Sequence, residues 1–260
     1  MRYFVEMAYD GTNYHGWQIQ PNAVSVQEEL MKALRMLTRD ETIVPMGAGR
    51  TDTGVHADYF VAHFDSEWQM EDADSAVFKL NSILPGDISV FSVQAVDEKM
   101  HSRFAATERT YHYRLTMVKD PLARTYTFRP FFPLDFEAMN EAAKMLLDVE
   151  DFTSFSKTGT QVKTNICHVR KAEWFEQSAG RYTFEISADR FLRNMVRAIV
   201  GTLFEVGKGR MSLSQMEEVV RTKDRRAAGM SVSAAGLSLV DIKYPEGRGF
   251  VPTIVRPTIR

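Results

Sequence analysis

The sequence of 260 residues contains a single cysteine, Cys167, which excludes an internal disulfide framework and fits a reducing compartment. It has no apolar run near the roughly 20 residues that are needed to span a bilayer, so a membrane role is not expected. The first six residues, Met-Arg-Tyr-Phe-Val-Glu, predict an amphipathic strand and lack the layout of a signal peptide. We therefore expect a globular protein of the cytoplasm.

Charge of one sign is also scarce, because the formal net charge is only −2. This argues against a protein that coats nucleic acid indiscriminately. The charges are nevertheless segregated: residues 60–98 hold eight acidic and one basic residue, whereas residues 99–129 hold seven basic and two acidic ones. Residues 189–226 hold nine basic and five acidic residues. This segregation is compatible with a basic groove on a nearly neutral protein, and equally with ordinary solvated faces.

The first hundred residues predict the order strand, helix, strand, helix, strand. The first strand ends at the turn signal Asp10-Gly11, and residues 25–28 form a capping box before an apolar helical face. A strand at 59–64, a helix from about Asp74 to before Pro85, and a strand at 88–96 follow. This order resembles a split β-α-β unit, which favours a mixed or antiparallel sheet with helices on one face.

The second part predicts a strand at 110–118 and a helix at 136–147, then a loop rich in Ser, Thr, Gly and Lys. Two strands around the turn Ala179-Gly180, helices at about 191–206 and 214–222, and a last strand at 237–243 complete the pattern. The fold class is therefore α+β with two halves. We place the N-terminal domain at residues 1–103 and the C-terminal domain at 104–260.

Residues 47–54, Gly-Ala-Gly-Arg-Thr-Asp-Thr-Gly, place three glycines around a basic and an acidic side chain. Such a loop lets backbone approach a ligand closely. It lacks the ending of a phosphate-binding loop and does not match a dinucleotide fingerprint. By itself, an aspartate between glycines is equally typical of a turn.

The pattern Gly-Arg-Thr-Asp-x-Gly-Val-His-Ala at residues 49–57 resembles the signature of the tRNA pseudouridine synthase A family. Similar segments follow in the family's order over nearly the whole chain: 9–18, 25–27, 84–88, 101–106, 109–113, 151–155, 194–201 and 236–239. Two departures stand out. Asp58-Tyr59-Phe60 replace a frequent Gly-Gln pair, and Ala234-Ala235 stand where a proline is frequent. Neither touches the aspartate of the signature.

The resemblance implies two ferredoxin-like halves with a catalytic cleft between them, and a catalytic role for Asp52. Pseudouridine forms when the N1–C1′ bond of uridine breaks, the base turns and C5 joins the same sugar. No atom is gained and no redox change occurs, so we expect no cofactor. An ionised carboxylate can serve as nucleophile or base, and Arg50 could keep Asp52 ionised or meet an RNA phosphate. Attack on C1′, attack on C6 and removal of a sugar proton all remain open.

Three further arginines and a tyrosine receive roles in the same way. Tyr111 lies on the apolar face of its predicted strand, as a core aromatic would, and the resemblance makes it the ring that stacks on the target base. On a helix from Phe191, Arg190, Arg193 and Arg197 would cluster opposite the apolar face, which is also typical of a solvated surface. By resemblance, Arg197 pairs with Asp52, while Arg190 and Arg193 contact RNA phosphates.

The histidines do not predict a metal site, because glycine and threonine between Asp52, His56 and His63 argue against a shared helical face, and no paired cysteine exists. The resemblance implies an enzyme acting on tRNA at positions 38, 39 and 40 of the anticodon arm, as a homodimer whose subunits jointly hold one tRNA. A non-catalytic tRNA-binding chaperone and a metal-dependent hydrolase are the competing hypotheses.

Overall fold

The computed structural model describes residues 1–159 and 163–253, which form two compact units. The first unit contains Met1–Thr107 and residues 239–253, and the second contains Glu108–Ser238. The last residues go with the first unit because they bind it directly: the Thr107 N–H donates to Lys243 O at 2.8 Å, and the Thr253 hydroxyl donates to Glu6. The sequence predicts instead that all of 104–260 forms one C-terminal domain.

The first unit alternates strands and helices, as the sequence predicts. Its elements before residue 107 are β1 (Arg2–Tyr9), α1 (Val26–Thr38), β2 (Met46–Gly47), β3 (His56–Asp65), α2 (Ala73–Ile83) and β4 (Ile88–Val96). β1 lies between β3 and β4 and pairs antiparallel with both, and the short β2 pairs antiparallel with the far end of β3. The predicted antiparallel arrangement is thus present in this unit.

The prediction of an amphipathic first strand is wrong. Five consecutive side chains of β1, from Tyr3 to Met7, are at most 1% exposed. Because successive side chains of a strand point to opposite faces, this burial shows that both faces of β1 are covered. A strand buried on both faces has a nearly continuous apolar sequence. The exception in that run is Glu6, a buried carboxylate that accepts a 2.5 Å hydrogen bond from the hydroxyl of Tyr59.

The capping box that the sequence predicts at α1 is only half formed. Ser25 is the N-cap residue, and its hydroxyl accepts from the Glu28 N–H at 3.3 Å. The Glu28 carboxylate does not reach back to the cap; it forms a 2.9 Å ion pair with Lys32 one turn further on. A complete capping box occurs instead at Ser212 and Gln215, at the start of a helix in the second unit.

The second unit has the predicted order of elements. These are β5 (Glu108–Thr116), α3 (Phe136–Met145), β6 (Val169–Ser178), β7 (Arg181–Ala188), α4 (Met195–Gly207), α5 (Leu213–Thr222) and the first residues of β8 (Leu237–Lys243). β7 lies between β5 and β6 and pairs antiparallel with both. Gly180, at φ +72°, forms the predicted turn between β6 and β7. Residues 160–162 of the predicted Ser/Thr/Gly/Lys-rich loop lie outside the described residues.

α4 is the central helix of the second unit, since eleven of its thirteen residues are buried. A helix that is apolar on nearly all sides is typical of a core position. Within the described ranges, no helix is long and apolar enough to cross a bilayer.

Candidate active site

Asp52 lies on the loop of residues 48–55, which joins β2 to β3 in the first unit. Gly47 pairs with Ala62, and the Ala48 N–H donates to Val61 O at 2.8 Å before the chain leaves the sheet. The chain returns to the sheet at His56, the first residue of β3. Both ends of the loop are therefore anchored in one strand, which restricts the positions that its tip can reach.

The segment of residues 9–17 holds the loop from the side. The hydroxyl of Tyr9 lies 3.0 Å from that of Thr51, whose carbonyl accepts from the Trp17 N–H at 3.4 Å. The Gly54 N–H donates to Tyr14 O at 3.2 Å. Thr51 is only 8% exposed, so the residue directly before Asp52 is fixed by its side chain and its backbone together.

Two glycines of this segment permit the close approach. A Cβ added at Gly11 would lie 2.0 Å from Val55 O, and one added at Gly16 would lie 2.3 Å from Thr51 O. Gly16 also has φ +85°, a backbone conformation that residues other than glycine rarely adopt. By contrast, a Cβ at Gly49 would meet no described atom within 4 Å. The glycines around the loop therefore serve contacts with the protein itself at least as much as contacts with a ligand.

Asp52 itself is half-buried, whereas Thr51 before it and Val55 after it are buried. The Val55 N–H donates to Asp52 O at 3.1 Å and closes a tight backbone turn over residues 52–55. Arg50 is exposed and makes no hydrogen bond or ion pair with any residue in the described ranges. The guanidinium of Arg50 therefore does not pair with Asp52 in this structure and faces solvent two residues away from it.

His56 ties the base of the loop to the end of β1. Its imidazole is 1% exposed, and its Nδ1 lies 3.0 Å from Asp10 Oδ1 and accepts from the Gly11 N–H at 3.1 Å. His63, further along β3, contacts Ser102 instead, with 2.8 Å between Nδ1 and the hydroxyl oxygen. Among the described residues, no three His, Cys, Asp or Glu side chains are grouped closely enough to hold a metal ion.

The segment of residues 84–88 supports the same loop through Tyr14. The hydroxyl of Tyr14 donates to Asp87 Oδ1 at 2.5 Å, and the Asp10 N–H donates to Asp87 O at 2.9 Å. Burial, together with this bond to Asp87, raises the pKa of Tyr14, so the phenol stays protonated and the bond persists at physiological pH. Two separate stretches of sequence, residues 9–17 and 84–88, thus support the aspartate loop.

Tyr111 lies on β5 in the second unit, opposite Ile186 of β7. Its ring is half-buried and meets Phe191 edge to face, with 5.1 Å between the ring centroids. Tyr113, two residues further along the same face, is completely buried. The apolar face of the strand therefore becomes accessible toward Tyr111, which presents part of its ring outside the core.

Arg197 lies in the first turn of α4 and is half-buried. Its Nε donates to Val232 O at 2.8 Å, while the Val232 N–H donates to Arg197 O at 3.2 Å. The two residues thus bind each other through backbone and side chain. This reciprocal pair fixes the direction of the guanidinium.

The segment around Val232 is itself fixed against α4. A Cβ added at Gly201 would lie 1.8 Å from Met230 O, so only glycine permits this contact between backbones. Arg225 donates to Gly229 O and to the Ser231 hydroxyl, in each case at 3.0 Å. The support of Arg197 consequently extends over residues 225–232.

The prediction that Arg190, Arg193 and Arg197 share one helix is wrong, because α4 begins at Met195. Asn194 precedes it with φ +65°, a left-handed conformation that interrupts the helical repeat. Arg193 is exposed just before this residue, and Arg190 directs one guanidinium nitrogen to Thr164 O at 3.3 Å. Arg197 is the one of the three that lies on the helix.

Sequence reasoning did not identify the residues that support the site. Tyr9, Gly11 and Gly16 belong to a segment that the family resemblance marks, but the sequence gives no partner for them. Val232 and Arg225 lie outside every marked segment. Their partners are distant along the chain, and a periodicity within one window cannot indicate such contacts.

Comparison with known proteins points in one direction. The sequence model of a family described as tRNA pseudouridine synthase matches residues 142–245. A protein of Bacteroides fragilis named tRNA pseudouridine synthase A is 54% identical over 245 residues, which cover 94% of this chain and 97% of the relative. Proteins of the same name from Porphyromonas gingivalis and Streptococcus thermophilus are 47% and 38% identical, and each match covers 94% of this chain and at least 97% of the relative. The chain therefore belongs to the tRNA pseudouridine synthase family.

Proposed function

We propose that this protein isomerises uridine to pseudouridine in the anticodon arm of tRNA, at positions 38, 39 and 40, with Asp52 as the catalytic carboxylate. The observation that carries the assignment is the anchored loop, in which a half-buried aspartate follows a residue held by both side chain and backbone. Such fixation is what a catalytic group requires, because small displacements of a reacting atom cost large factors in rate.

The reaction conserves every atom. The N1–C1′ bond of the nucleoside breaks, the uracil turns while it remains bound, and a bond forms between C5 and C1′. The hydrogen of C5 is lost as a proton, and N1 gains one. A carboxylate can assist by attack on C1′, by attack on C6 or by removal of a sugar proton. We leave the choice among these steps open and assign the residue.

Tyr111 and Arg197 complete the proposal from the second unit. The partly exposed ring of Tyr111, braced edge to face by Phe191, is suited to stack on an unstacked uracil. Arg197, whose guanidinium is oriented through Val232, is suited to pair with a carboxylate. We propose that both residues act on the same uridine as Asp52.

The basic residues outside the loop are proposed to hold the RNA backbone. Arg50 and Arg193 are exposed, and Arg190 is half-exposed. Arginine suits this task because its planar group presents several donors to phosphate oxygens. These contacts would contribute affinity without choosing the uridine.

We further propose that two copies of the chain hold one tRNA as a homodimer in the cytoplasm. Two large apolar side chains of the second unit, Leu122 and Phe131, are 91% and 90% exposed. Burial of these two side chains against a second copy of the chain would be favourable. Light scattering on the purified protein measures the oligomeric state directly, and a monomer at micromolar concentration would contradict this part of the proposal.

The function is tested with an unmodified tRNA transcript and the purified protein in the presence of a metal chelator. Pseudouridine is mapped by primer stops after carbodiimide treatment, and affinity is measured separately. We expect stops in the anticodon arm with the native protein. With Asp52→Asn, we expect no stops and a Kd within a few-fold of the native value, because the two side chains have nearly the same shape.

Thr53→Ala is the matched control, since Thr53 is the exposed neighbour that the family pattern leaves variable. It should retain turnover. Binding without stops in the anticodon arm would favour a tRNA-binding chaperone over an enzyme. Inhibition by the chelator would favour a metal-dependent hydrolase, and substantial turnover by Asp52→Asn would exclude Asp52 as the catalytic group.

A further inference from the structure

The turn of residues 101–105 in the first unit is unusually well fixed. The Ala105 N–H donates to His101 O at 2.9 Å, and the imidazole Nδ1 of His101 accepts from the N–H groups of Arg103 and Phe104 at 3.1 and 3.4 Å. Burial and the nearby charges of Arg2 and Arg103 lower the pKa of His101, so the ring stays neutral and can accept both bonds. One side chain therefore determines the shape of the turn.

Ser102 anchors the turn to the sheet. It is completely buried, and its hydroxyl donates to Met46 O at 2.8 Å and lies 2.8 Å from His63 Nδ1. Its carbonyl accepts from the hydroxyl of Tyr244 at 2.6 Å. The turn thus binds β2, β3 and the C-terminal part of the first unit at once, which leaves its tip little freedom to move.

The rigid tip presents an aromatic ring to solvent. Phe104 is 76% exposed, although burial of a phenylalanine ring is favourable. The ring of His101 lies behind it at 4.3 Å between centroids and an angle of 37°, and the guanidinium carbon of Arg103 lies 5.7 Å from its centroid. The ring is therefore braced on one side by an aromatic and accompanied by a cation.

We propose that Phe104 is a stacking platform for an unpaired base of the RNA, with Arg103 beside it to meet the adjoining phosphate. This inference rests on the proposed function. An exposed aromatic ring with a cation beside it is the combination that binds single-stranded nucleic acid, since every base has a face that can stack. The turn stands near the start of the stretch 99–129, which holds seven basic and two acidic residues.

The base on this platform differs from the target uridine. Ser102 binds Met46 and His63, and His63 is seven residues along β3 from His56 at the base of the aspartate loop. At a rise of about 3.3 Å per residue, the two points are roughly 23 Å apart along the strand. Phe104 would therefore bind substrate without taking part in the chemical step.

Phe78 on α2 offers a matched comparison within the same unit. It is 73% exposed, nearly the same as Phe104. Its surroundings in sequence are acidic, because residues 60–98 hold eight acidic residues and one basic residue. A surface of that charge repels RNA, so the loss of this ring should leave tRNA binding unchanged.

The experiment compares Phe104→Ala, Phe104→Leu, Phe104→Trp and Phe78→Ala in the full-length protein. Kd for tRNA is measured by fluorescence titration at several salt concentrations, and single-turnover rates are measured at saturating protein. We expect Phe104→Ala and Phe104→Leu to raise Kd by roughly 5- to 150-fold, the range that corresponds to one stacked base. Phe104→Trp and Phe78→Ala should bind like the native protein.

Two further readouts identify the cause. The saturated single-turnover rate should stay within about two-fold for Phe104→Ala, and the salt dependence of its Kd should keep the native slope, because no phosphate contact is removed. Arg103→Gln should instead reduce that slope by about 0.7–0.9.

Equal Kd values for Phe104→Ala and the native protein would overturn the platform. A native Kd for Phe104→Leu would also overturn the platform, since an apolar side chain without a ring would then suffice. Because binding is measured apart from turnover, a native protein that binds tRNA but forms no pseudouridine would contradict the proposed function and leave this test valid.

Discussion

The contact between Gly16 and the aspartate loop makes Gly16→Ala the most informative single substitution. The added Cβ would lie 2.3 Å from Thr51 O, whereas real Cβ contacts essentially never fall below 3.0 Å, so the two segments must separate by at least 0.7 Å. Thr51 directly precedes Asp52, and the carboxylate must move with it. The backbone conformation of Gly16, at φ +85°, adds a cost of about 1–2 kcal/mol for alanine.

The displacement predicts a large effect on rate. A misplacement of about 1 Å at a reacting group can cost roughly 100-fold in turnover, so we expect Gly16→Ala to lower kcat by about 10- to 100-fold. The tRNA affinity should fall much less than kcat, because Arg190 and Arg193 are untouched and only Arg50, among the proposed phosphate contacts, lies on the displaced loop. Release of tritium from tRNA labelled at C5 of uridine measures kcat, and urea unfolding measures the stability of the same variant.

Gly86→Ala is the matched control, since a Cβ there would meet no described atom within 4 Å. It should keep the native kcat and unfold at a similar or slightly higher urea concentration. If Gly16→Ala loses stability but retains the native kcat, the loop does not depend on this contact for its position. That result would refute the reasoning that links the glycines of residues 9–17 to catalysis.

Three other predictions concern stability and binding. Burial lowers the pKa of His63 from 6.5 to about 4. Between these two pH values the imidazole is protonated in the unfolded chain and neutral in the folded one, so the free energy of unfolding should fall as the pH drops from 6.5 towards 4. His63→Gln should flatten that pH dependence in urea titrations at several pH values. Tyr59→Phe removes the 2.5 Å hydrogen bond to the buried carboxylate of Glu6 and should lower the free energy of unfolding by about 1.5–3 kcal/mol. Tyr3→Phe is the comparison: the hydroxyl of Tyr3 donates to a backbone carbonyl, so its loss should cost only about 0.5–1.5 kcal/mol. Arg193→Gln should weaken tRNA binding and reduce its salt dependence while the saturated rate is kept, and an unchanged slope in salt titrations would remove Arg193 from the phosphate contacts.

Regular elements with clear local signals were predictable from the sequence. β4 and the strand at residues 237–243 have the predicted bounds, and α2 begins one residue from its expected start. These elements carry their own patterns and end signals. Their bounds therefore depend little on distant parts of the chain.

The start of α4 shows why other bounds were missed. Phe191 and Leu192 continue the apolar period of the helix backwards, so periodicity alone extends it by four residues. The interruption comes from the left-handed conformation of Asn194, whose side chain donates to the hydroxyl of Ser231. A contact with a residue 37 positions away decides the helix start, and no window of local sequence contains it.

The aspartate itself was predictable through the motif, whereas its support was not. The sequence indicated that residues 9–18 matter but could not show that Gly11 and Gly16 touch the loop. The conflict between a close backbone contact and a Cβ exists only in three dimensions. From the sequence alone, a glycine in such a segment indicates only a turn, because the backbone that it contacts is not known.

The two units hold their proposed functional side chains by the same device. In the first unit, Gly16 admits the carbonyl of Thr51, one residue before Asp52; in the second, Gly201 admits the carbonyl of Met230, two residues before the Val232 that orients Arg197. Contact between backbones has no rotamers, so it fixes position more strictly than contact between side chains. A base that must detach, turn and rejoin has no covalent link to guide it during the turn. Charges that are already in place when the glycosidic bond breaks need no reorganisation at that moment, which is the condition under which fixed groups stabilise a transition state most.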